Sequence, residues 1–565
     1  MATQFSPATL AGALLFCTSA VTWGQTPPDA GTLQQQINRE REPQLPNRLS
    51  PEVSPQPVAM APMAGTSVSV TEFRFVGNTL LTNEQLGYLL LNYLNRPIDF
   101  AQLQAAAAVV SQAYSQAGWV ARSYLPVQDI KDGVVTIQIV EALFGGVHIE
   151  GHEATHIQAA QILAVIDSQQ KVGEPVSAAA LDRGLLLAGD LPGVSVAGAL
   201  HQGKSPAETD LALQLADKPF WVGQVVSDNT GSRSTGGERL IADVLLQSPL
   251  GFGDQIAATA IYTSGSNYLR LGVGVPVGSN GWRVMASASR LDYKLLGSDF
   301  DALDAKGSSD SVALEASYPI LRSRLQNLYF NFNYDLENFD NQSGGAVTSR
   351  YKLNAASIGL TGNLFDSWQG GGTNVASLSV VSGTVDLAGS PNQLADAATT
   401  QTNGIYSKYK FSFSRQQLLT DELSLVAKYA GQISNKNLDS SEKFYLGGLT
   451  GVRAYPTNEG GGSQGQILNL ELRWRLSNGF SVAGFYDYGQ VTVNVKNEFA
   501  GAAPLNDYSL KGAGLELGWT ALSGAQIKAV WARRDGNNPN PTAIGNDQNG
   551  TLVKDRFWLS ATLPF

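Results

Sequence analysis

The sequence predicts a mainly β protein, a 16-stranded transmembrane β-barrel preceded by two small α+β modules of β-α-α-β-β order. Three observations lead there. From residue 219 to Phe565, apolar and polar side chains alternate along successive runs, the two-residue period of a strand with two different environments. Between residues 68 and 218 one small plan runs twice, the mark of repeated compact modules. Charged residues make up 15 % of the 565, against about 25 % in an average soluble protein. Beyond the N-terminus no unbroken apolar run approaches the ~18 residues of a membrane helix, whereas barrel strands alternate and escape that test. With 38 basic against 48 acidic side chains, a net charge of −10 and no Lys/Arg block, the chain offers no surface for nucleic acid, which binds by releasing counterions to clustered cations.

Residues 10–21 (LAGALLFCTSAV) form an apolar stretch too short to span a bilayer. They read as the core of a signal peptide over residues 1–24, with cleavage near Gly24. Met1 to Thr9 carries no Lys or Arg, a departure from the usual signal, and a soluble core helix is the alternative. Cys17, the single cysteine, falls inside this segment, so the exported chain would hold none and be indifferent to an oxidising compartment. Phe16 before it is wrong for a lipidation box. Residues 30–42 have helix-forming composition, with Asp29 and Thr32 as candidate caps. Pro43, Pro46, Pro51, Pro55, Pro57 and Pro62 make residues 43–66 an extended linker, because no helix or sheet interior tolerates that density of proline. The helix is then tethered but free to dock at a distance.

The first module, residues 67–143, predicts a strand over 68–76, helices over 83–94 and 100–117, and strands over 119–125 and 134–141. The second, residues 144–218, predicts a strand over 147–150, helices over 155–166 and 177–189, and strands over 194–200 and 210–216. Phe75-Val76-Gly77-Asn78 and Ile149-Glu150-Gly151-His152 occupy matching strand-to-turn positions. Such a module leaves an edge strand open, and open edges capture extended peptides by adding a strand. A single α+β enzyme domain is the alternative reading of this region.

The barrel region, residues 219–565, alternates clearly at Leu269, Leu271, Val273, Val275 and Val277, at Leu328, Phe330, Phe332 and Tyr334, and at Leu423, Leu425, Ala427 and Tyr429. Strands of 9–12 residues with little helix between them, and a final alternating run ending on Phe565, favour a lipid-facing barrel over a sandwich. Sixteen strands leave roughly 22 residues for each strand and its connection; 22 strands would leave roughly 16 and eight roughly 43, so sixteen, give or take two, fits best.

Three motifs suggest catalysis and fail on context. His152-Glu153-Ala154-Thr155-His156 matches H-E-x-x-H, but a zinc protease needs both histidines inside a helix, and this stretch opens one after Gly151. Gly198 to Ser205 matches G-x-x-x-x-G-K-S, but Pro206 and another strand follow instead of the helix that faces phosphates. Gly461 to Gly465 matches G-x-S-x-G but leads into a strand. No catalytic residue, metal site or cofactor is expected, and a surface esterase or protease would depend on these motifs.

The informative constellation lies in the barrel. Phe444-Tyr445-Leu446-Gly447-Gly448 precedes Gly451-Val452-Arg453-Ala454-Tyr455-Pro456 and the glycine run 460–462, and Phe485-Tyr486-Asp487-Tyr488-Gly489 follows on a strand. An Arg in a glycine-rich loop and an Asp on a barrel wall form a charge-assisted pair that holds the loop in the lumen; an ordinary surface loop with an unrelated Asp is the alternative.

At these residues the chain resembles the two-partner-secretion outer-membrane transporters of the haemolysin and filamentous-haemagglutinin secretion/activation type, which carry polypeptide-transport-associated (POTRA) modules. The resemblance covers nearly the whole exported chain: plug-like helix, proline linker, two POTRA modules and 16-strand barrel. The family's V-R-G-Y stands here as Val452-Arg453-Ala454-Tyr455, with Ala454 a departure that restricts the loop if that position needs positive φ. Its F-x-D-x-G partner stands as Phe485, Asp487 and Gly489. Asp228-Asn229-Thr230-Gly231 with Thr235-Gly236 resembles the family's first barrel strand and loop, and Asp190-Leu191-Pro192-Gly193-Val194 its second module.

The resemblance implies a Gram-negative outer-membrane protein with its modules in the periplasm. It implies export of one large exoprotein, such as an adhesin or haemolysin, received unfolded by the modules and passed through the barrel without ATP. The loop bearing Gly451, Val452, Arg453 and Tyr455 would gate the lumen against the wall motif. Membrane lipid surrounds such a barrel, and periplasmic chaperones and the barrel-assembly machinery are expected contacts. An outer-membrane assembly factor of the same superfamily and a passive porin are the alternatives; the first usually carries three to five modules, and the second has no use for two.

Overall fold

The computed structural model describes residues 28–41, 45–46, 67–152, 154–205, 207–298 and 300–565. The expected signal peptide lies outside them, as does nearly all of the expected linker. Each module is a three-stranded sheet with two helices on one face. In the first, Val134–Glu141 is central, parallel to Glu72–Val76 and antiparallel to Ala121–Tyr124. Helices Asn83–Leu89 and Phe100–Gln116 close its core around Leu86, Leu103, Val110, Val135 and Ile137. In the second, Glu208–Asp217 is central between Leu143–Ile149 and Val194–Gln202. Helices Ala159–Gln169 and Ala178–Gly189 bury Ile162, Ile166, Leu181 and Leu187 against it.

The two copies share a closing device. The turn after the first strand passes through a glycine in the left-handed region, Gly77 at φ 90° and Gly151 at φ 83°. A carboxylate at the end of the central strand then captures the threonine that follows. Glu141 accepts from the Thr79 amide (2.7 Å), the Leu80 amide (2.9 Å), the Tyr114 hydroxyl (2.7 Å) and the Thr79 hydroxyl. Asp217 accepts from the Thr155 amide (2.8 Å) and hydroxyl (2.7 Å).

Several boundaries depart from expectation, and the strand expected over 147–150 begins at Leu143, inside the stretch expected to close the first module. The single strand expected over 68–76 divides into Val68–Ser69, paired with Pro97–Ile98, and Glu72–Val76. The helix expected to reach Leu94 stops at Leu89 and tightens into the 3₁₀ turn Leu91–Tyr93. The helix expected from Thr155 starts at Ala159, because Thr155 is held by Asp217 and the Gln158 amide donates to the Gly251 carbonyl of a barrel turn (2.8 Å).

Sixteen antiparallel strands form a closed barrel, from Trp221–Asp228 to Asp555–Pro564. Lengths run from 8 residues to 21 in Ala346–Asp366, beyond the 9–12 expected. A tilted strand needs only about ten residues to cross the hydrocarbon, so the surplus of the long strands stands outside it. Leu269, Leu271, Val273, Leu425 and Leu559 are exposed on the outer face, as lipid requires, and Phe565 packs on Trp221 with ring centroids 5.3 Å apart. The last strand meets the first over only five residue pairs, Ser560–Pro564 against Gln224–Asp228, where every other barrel junction has at least eight. Beyond them the Asn229 side chain completes the ladder, donating to the Phe557 carbonyl (3.1 Å) and accepting from the Leu559 amide (2.8 Å).

The second module is bolted to one end of the barrel. Asp190 pairs bidentately with Arg322 (both 2.8 Å), Asp182 with Arg324 (2.7 Å), and Arg183 donates to the Pro319 carbonyl (2.7 Å). From the far end the helix Ala30–Glu40 descends into the lumen. Asp29 caps it by accepting from the Thr32 amide (2.8 Å) and takes the Ser440 hydroxyl (2.8 Å), while Asn341 accepts from the Ala30 amide (2.9 Å). Its other end points at the modules, where Glu40 meets Arg239 (2.8 Å) and Pro46 lies against Asn363.

Candidate functional site

The longest connection of the barrel, between strands Leu423–Ser434 and Gln464–Arg475, folds inward instead of standing outside. Its neck is a two-pair ribbon, Phe444–Tyr445 against Gly461–Gly462. Its tip turns back on itself, the Val452 amide donating to the Leu446 carbonyl (2.8 Å). At Gly451 a Cβ would stand 2.0 Å from that same carbonyl, so only glycine permits the reversal.

The turn delivers Arg453, 6 % exposed, to Asp487, wholly buried on strand Phe480–Thr492. Nε and Nη2 of Arg453 donate to the two Asp487 oxygens, both at 2.9 Å, and the Arg453 amide donates a third bond at 3.0 Å. Asn469 adds a fourth at 2.7 Å and also holds the Gly451 carbonyl (2.9 Å). Nη1 turns to Glu471 at 3.1 Å, with Glu516 at 3.8 Å. The guanidinium carbon sits over the Phe485 ring, 3.4 Å from its centroid, a cation–π seat. Trp558 of the last strand donates to the Arg453 carbonyl (2.8 Å). A charge is tolerated here because every lobe of it is met.

Val452 is buried against Gly489, where a Cβ would come within 3.0 Å of both Val452 and Leu446. Tyr455 is buried under Arg534, whose carbon lies 4.7 Å from its ring centroid and whose guanidinium pairs with buried Asp547. Thus Gly451, Val452, Arg453 and Tyr455 meet one wall that includes Phe485, Asp487 and Gly489. Ala454 is not at positive φ, so its side chain costs the backbone nothing. Its methyl faces Gly512, where a Cβ would clash at 2.4 Å.

Sequence reasoning missed Asn469, Glu471, Glu516 and Trp558. They stand on neighbouring strands in a register, Asn469 opposite Asp487 and Glu471 opposite Phe485, that alternation alone does not fix. The first-strand motif is part of the same assembly. Asp228 takes Arg239 through two bonds (2.9 and 3.0 Å), Arg239 reaches on to Glu40 of the helix, and the Thr230 carbonyl accepts from Thr457 of the loop (2.8 Å). Arg39 donates to the carbonyls of Tyr445 (2.6 Å) and Gly447 (2.9 Å) at the loop neck. Helix, loop and wall therefore fill the lumen as one unit.

The three motifs that suggested catalysis fall on the following elements. His156 lies tilted against Phe220, ring centroids 5.4 Å apart, in irregular chain before the helix, and Glu153 lies outside the described residues. Among those residues no cluster of His, Cys, Asp or Glu could hold a metal. Gly198 to Gln202 lies on a strand, and Gly461–Gly462 is half of the loop neck.

The ShlB-type POTRA domain family matches residues 68–142. The heme/hemopexin transporter protein HuxB of Haemophilus influenzae is 25 % identical over 97 % of this chain and 96 % of that protein. The outer membrane transporter CdiB of Dickeya dadantii is 25 % identical over 73 % of each. The solved structure of CdiB from Escherichia coli superposes with a TM-score of 0.70 at 18 % identity, covering 96 % of this chain and 99 % of that one, and so shares the fold. The haemolysin secretion/activation family ShlB/FhaC/HecB matches residues 207–517, more than half the chain. With its sixteen-strand barrel and POTRA modules, this chain is an outer-membrane transporter that belongs to the haemolysin secretion/activation family.

Proposed function

We propose that the chain exports one large partner protein, such as an adhesin or haemolysin, through a lumen that rests closed, with Arg453 as the latch. The observation that carries this reading is the shared occupancy of the pore: the N-terminal helix and the Arg453 loop bind each other as well as the wall. A passive porin gains nothing from so complete a plug. The partner arrives unfolded, and its backbone adds a strand to an open module edge; Val194–Gln202 is such an edge, paired on one side only in the second module's sheet. The helix then withdraws, and loss of its bonds to Tyr445 and Gly447 frees the loop neck. Gly451, Val452, Arg453 and Tyr455 move away from Phe485, Asp487 and Gly489, and the chain passes. Folding outside prevents return, so no ATP, cofactor or catalytic residue takes part. Periplasmic chaperones keep the partner unfolded, and the barrel-assembly machinery inserts the transporter.

Deleting the gene and comparing the medium, cell surface and outer membrane tests the function. Loss of one large secreted or surface protein is the expected result; broad depletion of outer-membrane proteins would indicate an assembly factor instead. For the latch, Arg453→Ala is expected to abolish most secretion while the barrel still inserts, since an abandoned Asp487 costs about 3–5 kcal/mol in a dry site. Near-normal release from that variant would overturn the gating role.

A further inference from the structure

The lumen loop is also held from a side that the Arg453 latch does not use. Past its tip the chain bends at Asn458, in the left-handed region at φ 67°, which asparagine adopts more readily than most residues. The bend sends consecutive side chains to two different elements. Asn458 donates to the Gln36 side chain of the N-terminal helix (3.1 Å). Glu459, 1 % exposed, accepts at one oxygen from the Asn538 side chain and at the other from the Gln548 amide, both at 2.8 Å. Asn538 and Gln548 belong to the outer loop 535–554, which joins Gln526–Arg534 to Asp555–Pro564 at the end of the barrel away from the modules. That loop's own contacts aim Asn538: its amide also donates to buried Asp547 (3.0 Å), which pairs with Arg534, and its oxygen accepts from the Asn540 amide (3.0 Å).

The two holds differ in kind. Arg453 meets carboxylates as an ion pair, whereas Glu459 is a buried carboxylate bonded, among the described residues, by neutral amides alone. A charge buried without a bonded counter-ion costs more than a paired one and regains hydration on leaving, so this hold is the one suited to release. It is also the one nearest the plug. The Glu459 carbonyl accepts from the neck amides of Leu446 (3.0 Å) and Gly447 (2.9 Å), and Arg39 of the helix binds the Gly447 carbonyl (2.9 Å). A displaced helix therefore pulls on Glu459 from two directions, through Asn458 beside it and through the neck bonded to its backbone.

We propose that Glu459 is a positioning residue that couples the N-terminal helix to the outer loop 535–554, so that the outer mouth loosens when the plug leaves. The proposal rests on the reading that the helix withdraws, and its test needs no exported partner. Gln36→Ala with Arg39→Ala in the full-length protein loosens the helix, which conductance across a planar bilayer verifies. The reporter is Thr542→Cys in the outer loop, a position 8 % exposed in a chain whose one cysteine is Cys17. It is labelled on intact cells with a membrane-impermeant maleimide. Loosening the helix is expected to speed labelling about tenfold, within the usual range of coupling between two sites. With Glu459→Ala, labelling is expected to be fast already and the helix substitutions to add nothing; Glu459→Gln, which keeps an acceptor oxygen, is expected to retain part of the helix dependence. Labelling indifferent to the helix while Glu459 is in place, the result for a residue that only stabilises the loop, would overturn the coupling. So would labelling equally helix-dependent with Glu459→Ala. Coupling is reciprocal, so Glu459→Ala alone is also expected to lengthen the open time in the bilayer, and an unchanged open time counts against it. Asn538→Ala removes one of the two bonds from the outer-loop side and is expected to give the same pattern at smaller size, should a Glu459 variant fail to fold. If Gln36→Ala with Arg39→Ala leaves conductance unchanged, the plug reading falls first and the coupling with it.

Discussion

Arg453 shows how a single side chain is made obligatory. All three of its side-chain nitrogens donate, two to Asp487 and one to Glu471, while the guanidinium also sits over Phe485, a set that lysine's point charge cannot satisfy. Beside it, Ala454 stands where the resembling family has glycine, and Gly512 supplies the room that its methyl takes up. Gly512→Ala is therefore expected to force the loop off the wall at a cost of about 1–3 kcal/mol, the usual range for overpacking, and to reduce secretion. Adding Ala454→Gly is expected to restore most of it, and a secretion assay on the single and double variants reads the compensation directly. Arg453 and Asp487 were legible in the sequence as a motif pair. Glu471, Asn469 and Trp558 were not, because their roles depend on strand register and on barrel closure, which bring residues from far along the chain against one loop.

The elements carry their own switches. Burial opposes the charge on Glu141 of the first module, but the hydrogen bonds from Thr79, Leu80 and Tyr114 outweigh it and hold the carboxyl below its usual range. A carboxyl depressed on folding stabilises fully above its unfolded value, near 4.3, and that stabilisation is lost as pH falls through the lower folded value. Hydrogen-exchange protection factors of the Asn83–Leu89 and Phe100–Gln116 helices, taken relative to the unstructured rate at each pH, are therefore expected to fall on acidification. Glu141→Gln is expected to lower them at neutral pH and to flatten the acid limb. The N-terminal helix is the second switch. Arg39→Ala removes two charge-assisted bonds to the loop neck, a loss of about 2 kcal/mol. That corresponds to roughly thirtyfold more open time, readable as conductance across a planar bilayer. Sequence composition located this helix, with Asp29 as its cap. It gave no sign that Arg39 grips the loop, since carbonyl acceptors leave no trace in side-chain identity.

At the scale of the whole molecule, the modules are aimed by a few charged contacts. Arg322 is buried and Asp190 half-exposed, so breaking the pair is expected to cost about 2 kcal/mol, between the surface and buried cases. Arg322→Asp is expected to expose the junction near residue 218 to limited proteolysis, and combining it with Asp190→Arg to protect it again. Asp190 lay in a motif already visible in the sequence. Its partner, Arg322, ends a barrel strand whose contact with the module only the folded chain reveals, and the same is true of Gln158 and Gly251, which shortened an expected helix. The junction of the first and last strands has a further consequence. A hoop opens at its weakest joint, and here that joint holds five strand pairs, the two backbone bonds that Gly223 and Phe565 exchange, and the bonds of Asn229. Heat must create a free edge somewhere before a closed sheet can unravel. In this barrel rupture should start between Trp221–Asp228 and Asp555–Pro564 and run outward from both lips, so the thermal lifetime of the whole wall is set by its smallest patch of hydrogen bonds.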